Sequence, residues 1–179
     1  MGSGKSAAGK IATLAILTAL SLTAFIIENQ FPPMFIPCAR MGLANVFSFA
    51  ALIIYSPWEA FLVVALRTGL GAVFAGNPSA LLYSFTGGMV SMAVSAVLLY
   101  CAHPRVSVMA ISVCAAVTHN ITQNIVFALI THTANMLFTM PYLVLLGILS
   151  GAIVGGVTML IFGKIPISVF QKTLPVRKE

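Results

Sequence analysis

Thr118-His119-Asn120-Ile121-Thr122-Gln123-Asn124 lies near the middle of a long apolar run, Val106 to Ile130. At helical spacing His119 stacks with Gln123, Asn120 with Asn124 and Thr118 with Thr122. Polar groups then cover well over half of the circumference, and only a stripe of Val117, Ile121 and Ile125 stays apolar. In hydrocarbon an unpaired amide or imidazole costs on the order of 2–7 kcal/mol. Such a helix has to sit among partners or around a ligand, so the stretch points to a bundle with a polar layer inside it.

The surroundings fix the solvent. The 179 residues are 60% hydrophobic and 7% charged, with a mean hydropathy of +1.06, against about 25% charged residues in a soluble domain. The apolar runs are far longer than the ~9–11 residues of a barrel strand and match the ~20 of a membrane helix. The expected fold is therefore all-α: six transmembrane helices over 11–162, with a basic segment at 1–10 and a basic tail at 163–179. The spans read as Ile11–Ile27, Met41–Tyr55 (a short one), Trp58–Phe74, Ala80–Tyr100, the Val106–Ile130 run, and Met136–Phe162. Pro57 suits a helix start, Glu59 a first turn, and Trp58 the interface. Gly147, Gly151 and Gly155, at four-residue spacing, make a close-packing face in the last span. Ala15, Ala19 and Thr23 make a similar face in the first, open either to the same bundle or to a partner protein.

With six spans both termini share a side. Lys5, Lys10, Arg105, Lys164, Lys172, Arg177 and Lys178 collect there, and Arg40 stands alone opposite. The positive-inside bias makes the termini cytoplasmic and turns the connectors at 28–40, 75–80 and 131–136 outward. The location expected is the inner or plasma membrane. The connector Glu28–Arg40 holds three prolines, which exclude regular helix through it, and is apolar enough to lie on the membrane or close over the bundle.

Some chemistry is excluded early. The chain has no Asp, and its carboxylates are Glu28, Glu59 and Glu179. Nucleotide and diphosphate chemistry usually holds magnesium through carboxylates, so an enzyme of that kind is not expected. Gly4-Lys5-Ser6-Ala7-Ala8-Gly9-Lys10 has phosphate-loop spacing, but Ile11 replaces the Ser/Thr and a membrane helix follows instead of a strand–loop–helix unit. Cys38, Cys101 and Cys114 lack metal-ligand spacing. His132 lies about 20 Å along the helix from His119, too far to share a metal. No metal, intrinsic cofactor or nucleic acid is implied, the net charge of +6 being topological.

Arg67 is the costliest residue for a membrane, about eight residues from either end of its span. Charged groups at that depth are rare and mark functional sites by default. Glu59, two turns away on the same helix, is about 12 Å distant along the axis. Arg67 instead meets carbonyls, the amides of Asn120, Gln123 or Asn124, or an anionic ligand. The candidate ligand-binding set is Arg67, His119, Asn120, Gln123, Asn124, Asn45 and Arg40, with Glu28 near the outer mouth and Tyr83, Ser84, Thr86 and Tyr142 as walls. The competing reading is that Arg67 and the polar helix satisfy each other as internal glue.

Arg40-Met41-Gly42-Leu43-Ala44-Asn45, Leu66-Arg67 followed by Gly71, Gly87-Gly88, and His119-Asn120 with Gln123 resemble the Gx transporter family, also labelled heptaprenyl diphosphate synthase component I. The resemblance spans roughly residues 10–162. Arg40-Met41 stands where the family often has Lys-Leu. The family is similar in layout to the substrate-binding (S) components of energy-coupling factor transporters. That likeness implies six helices, cytoplasmic termini and an outward pocket for a vitamin-like or quinone- or isoprenoid-related small molecule. It also implies a first helix docking through Ala15 and Ala19 on a transmembrane coupling subunit with separate ATPases. The synthase label implies prenyl transfer, against which the missing Asp speaks. An association of the family with extracellular electron transfer implies a second function, handling a bound quinone or flavin. A structural subunit without ligand is the third.

Overall fold

The computed structural model describes residues 7–30, 42–75, 78–103 and 105–162. Arg40, Cys38 and the rest of the connector at 31–41 lie outside the described residues, as does the tail from 163. The described residues form a bundle of six α-helices: α1 Ala7–Gln30, α2 Ala44–Ile54, α3 Pro57–Ala75, α4 Pro78–Cys101, α5 Val108–Thr131 and α6 Met140–Phe162. A short 3-10 helix, Ala134–Thr139, precedes α6. Among the described residues, five segments are long and apolar enough to cross a membrane.

The second span differs from the other five in kind. α2 has 11 residues, about 16 Å at 1.5 Å per residue, against a hydrocarbon core of ~30 Å. Tyr55-Ser56-Pro57 ends it, and Pro57 begins α3, as its fixed φ favours. A helix apolar all round belongs inside a bundle. Accordingly Val46, Phe49, Ala50, Ala51, Leu52 and Ile53 are all buried. They form the main apolar core with Ala60, Val63 and Val64 of α3, Met92, Ala96 and Leu99 of α4, and Ile111 of α5.

The helices divide into two groups of three that share the main core and are joined through α3 and α4. α1 packs on α2 and α3, α4 and α6 pack on α5, and the groups meet mainly where α3 lies against α4. In the second group the glycine spacing does what it implied. A Cβ on Gly147, Gly151 or Gly155 would stand 2.8, 2.5 or 2.9 Å from the Cα of Val117, Val113 or Met109. Backbone touches backbone there, the arrangement that small residues permit in lipid, where no hydrophobic force drives helices together. The first helix behaves oppositely: Ala15, Ala19 and Thr23 are exposed on its outer face. Its N-terminal end is held by Lys10, which pairs with Glu59 and lies 5.6 Å from the Tyr55 ring centroid. Ser56 also donates to Glu59, so the carboxylate ties α1 to the start of α3 and is spent far from Arg67.

Local signals set the remaining ends. Ser107 caps α5 by accepting from the Ala110 amide at 3.1 Å. His132 closes it in the left-handed region, φ 52°, and its amide donates to Ala128 O.

Candidate functional site

The polar face of α5 splits along its two rows. Asn120 and Asn124 turn to the last helix: their amides donate to Leu143 O at 3.1 Å and to Met136 O at 2.9 Å. Both are buried, and both fasten α5 to α6 and the 3-10 helix. His119 and Gln123, one position earlier in each turn, face the other way, toward α3 and α4. Thr118 is half-buried, and its hydroxyl donates to Cys114 O in its own helix at 2.8 Å.

Gly87 and Gly88 bring the opposite wall near. A Cβ on Gly87 would be 2.6 Å from Gln123 Cγ and 3.2 Å from His119 O. A Cβ on Gly88 would be 2.8 Å from Val64 Cγ1 and 3.7 Å from an Arg67 Nη. Adjacent helical residues point about 100° apart. One glycine therefore seats α4 on α5 and the next seats it on α3, which draws Arg67 into the layer of His119 and Gln123. Depth agrees: Arg67 and His119 lie about 15 Å along their helices from the same end of the bundle.

Arg67 is 3% exposed, and its Nη2 donates to Asn45 Oδ1 at 2.6 Å. Asn45 is placed by the turn that enters α2. Gly42 has φ +72°, a conformation L side chains disfavour, and its carbonyl accepts from the Asn45 amide at 2.8 Å. Glu28, from α1, accepts from the Leu43 amide and so satisfies one of the open donors at the start of α2. Ser21 ties the same helices by donating to Ala44 O at 2.8 Å. Across the layer Gln123 Nε2 reaches Ser84 Oγ at 3.4 Å, a long contact. Gln123 is fully buried, and its Oε1 has no hydrogen-bond partner among the described residues.

These side chains enclose one cleft. Phe25 and Glu28 of α1, Asn45 of α2, Arg67 and Thr68 of α3, Ser84 of α4, and His119 and Gln123 of α5 line it. Its free volume is about 10 Å³, about what one water molecule needs. Of the sequence candidates, Arg67, His119, Gln123 and Asn45 meet here, while Asn120 and Asn124 do not line the cleft. Ser84 is a wall. Tyr142 is 67% exposed and is not one, and Thr86 spends its hydroxyl on Leu82 O in its own helix. Tyr83 packs edge-on against Phe127, centroids 5.7 Å apart. Sequence reasoning missed Phe25 and Thr68. Phe25 sits on α3 because Gly71 leaves room: a Cβ there would be 2.4 Å from the ring. A glycine one turn beyond Arg67 was the only available signal. Among the described residues no three His, Cys, Asp or Glu side chains come together.

A model of heptaprenyl diphosphate synthase component I matches residues 17–161, which takes in the whole cleft. The chain belongs to that family. Neither the curated proteins nor the solved structures give a match. In this member of the synthase component I family, eight of the residues quoted above for the resemblance fall on two features. Asn45, Arg67, His119 and Gln123 line the cleft, and Gly42, Gly71, Gly87 and Gly88 permit the close approaches that shape it. The chain is thus a membrane protein of the Gx family with a buried polar layer between its two helix groups.

Proposed function

We propose that this family member is the substrate-binding membrane component of a small-molecule uptake system and that it carries no enzymatic activity of its own. The observation that carries the reading is the convergence of Arg67, Glu28, His119 and Gln123, from three helices, on one cleft at mid-depth. A layer built only as internal glue would spend its polar atoms on itself, as Asn120 and Asn124 do. Gln123 Oε1, buried beside the Arg67 layer without a hydrogen bond among the described residues, departs from that pattern. Buried polar atoms almost always find partners, and a bound molecule would supply one.

The bias of Lys and Arg puts the termini in the cytoplasm and the mouth of the cleft outside. Arg67 gives charge, and His119, Gln123 and Asn45 give oriented hydrogen bonds. The cleft is contracted to the size of a water molecule, so loading requires the two helix groups to part. The hydrogen bonds of Asn45, Gln123, Asn120, Asn124 and Ser21 each close within one group. They survive such a movement. Release would then be driven from outside the chain, by a transmembrane coupling subunit with separate ATPases seated on the exposed Ala15–Ala19–Thr23 face of α1.

The test is mass spectrometry and an absorption spectrum of the protein purified in lipid nanodiscs. A co-purifying small molecule, lost in Arg67→Ala and His119→Ala while the helical circular dichroism is retained, is the expected result. Retention of that molecule by both variants overturns the site. A visible flavin or quinone spectrum from that molecule would assign the chain to electron transfer instead of uptake.

A further inference from the structure

Two features of the interior narrow the ligand. The first is charge. The cleft is lined by one guanidinium, Arg67, and one carboxylate, Glu28, whose formal charges cancel. A ligand bearing net charge would leave one charge uncompensated in a low-dielectric layer, which costs several kcal/mol. A polyanion such as a diphosphate is the worst case. A head of zero net charge, with a donor for Glu28 and an acceptor for Arg67, fits the lining.

The second is a groove beyond Asn45. It measures about 20 Å³ and is walled by Phe49 of α2, Gly88, Ser91 and Ser95 of α4, Ser112, Ala115 and Ala116 of α5, and Val154 of α6. Gly42 and Asn45 belong to both this groove and the cleft. From Gly88 to Ser95 it follows α4 for about 10 Å. Its hydroxyls are partly spent: Ser91 donates to Ala115 O at 2.9 Å and Ser95 to Ser91 O at 3.0 Å. An ordered water needs two to four polar partners, and two of the three serine donors have been taken by backbone. Small side chains with little left to donate, together with the apolar Phe49 and Met92, suit a thin apolar chain better than a file of waters.

We infer that the ligand is an amphiphile of zero net charge, its donor–acceptor head in the Arg67–Glu28 cleft and a slender apolar chain laid past Asn45 between α4 and α5. This rests on the binding reading above. The test uses resorcinol, its decyl derivative and decyl phosphate as probes, titrated calorimetrically into protein-loaded and empty nanodiscs. After subtraction of the empty discs, decylresorcinol should bind at least tenfold tighter than resorcinol, and decyl phosphate at least tenfold weaker than decylresorcinol. Ala116→Leu, at a half-buried wall of the groove, should abolish the gain from the chain and leave resorcinol binding alone. Ala116→Val serves if the leucine variant does not fold. Equal or tighter binding of the phosphate, no gain from the chain, a gain that survives the groove variants, or no binding of either neutral probe overturns the inference. Failure of the underlying reading shows differently: resorcinol affinity unchanged in Arg67→Ala.

Discussion

Replacing Asn45 by leucine keeps the branched shape and heavy-atom count of the side chain and removes the acceptor that holds the Arg67 guanidinium at 2.6 Å. Leucine is the better choice than alanine for a physical reason. The cleft already has about 10 Å³ free, and a truncated residue would enlarge it enough to admit a water that stands in for the amide. A hydrogen bond to a charged group contributes about 1.5–3 kcal/mol, and more of that is lost when the charge stays buried. Arg67 is 3% exposed, so the full range applies. That is about a 10- to 140-fold drop in the folding equilibrium constant. Reversible unfolding by SDS titration in mixed micelles, followed by far-ultraviolet circular dichroism, measures it. Arg67→Met removes the charge and leaves the Asn45 carbonyl without this donor. The double variant leaves neither group stranded and should recover about 1–2 kcal/mol relative to the sum of the singles. A loss below about 0.5 kcal/mol for Asn45→Leu, or simple additivity of the two, would refute the view that this pair closes the layer.

Other outcomes follow from the same packing. Gly151→Ala places a methyl 2.5 Å from Val113 Cα, and backbone cannot rotate aside, so the unfolding titration should show a loss of about 1–3 kcal/mol. Gly69→Ala is the control, since nothing lies within 4 Å of its Cβ position, and it should be neutral or stabilising by up to about 1 kcal/mol. Gly87→Ala meets the movable Gln123 side chain at 2.6 Å. It should weaken binding of the co-purifying molecule by more than tenfold while costing less stability than Gly151→Ala. Lys10→Ala breaks the ion pair with Glu59, but Lys10 is 43% exposed. The cost should be at most about 1 kcal/mol and should shrink as salt is raised.

The chain's own letters decided the solvent, the helical class and the existence of a buried polar layer. Those are local properties: apolar run length, four-residue spacing, and hydrophilic residues where lipid tolerates few. The glycine spacing of the last span announced a close contact because any helix with that face must pack closely in lipid. What one helix cannot encode is its rotation against neighbours that come from elsewhere in the chain. Only the tertiary structure assigned Asn120 and Asn124 to α6, and His119 and Gln123 to the cleft, from four residues that look alike on a helical wheel. It alone chose Asn45, 22 residues away, as the Arg67 acceptor, gave Gly87 and Gly88 a neighbour on either side, and made α2 a short buried post rather than a full span. Burial propensity is written residue by residue, whereas a hydrogen-bond partner is settled only when all the helices have docked.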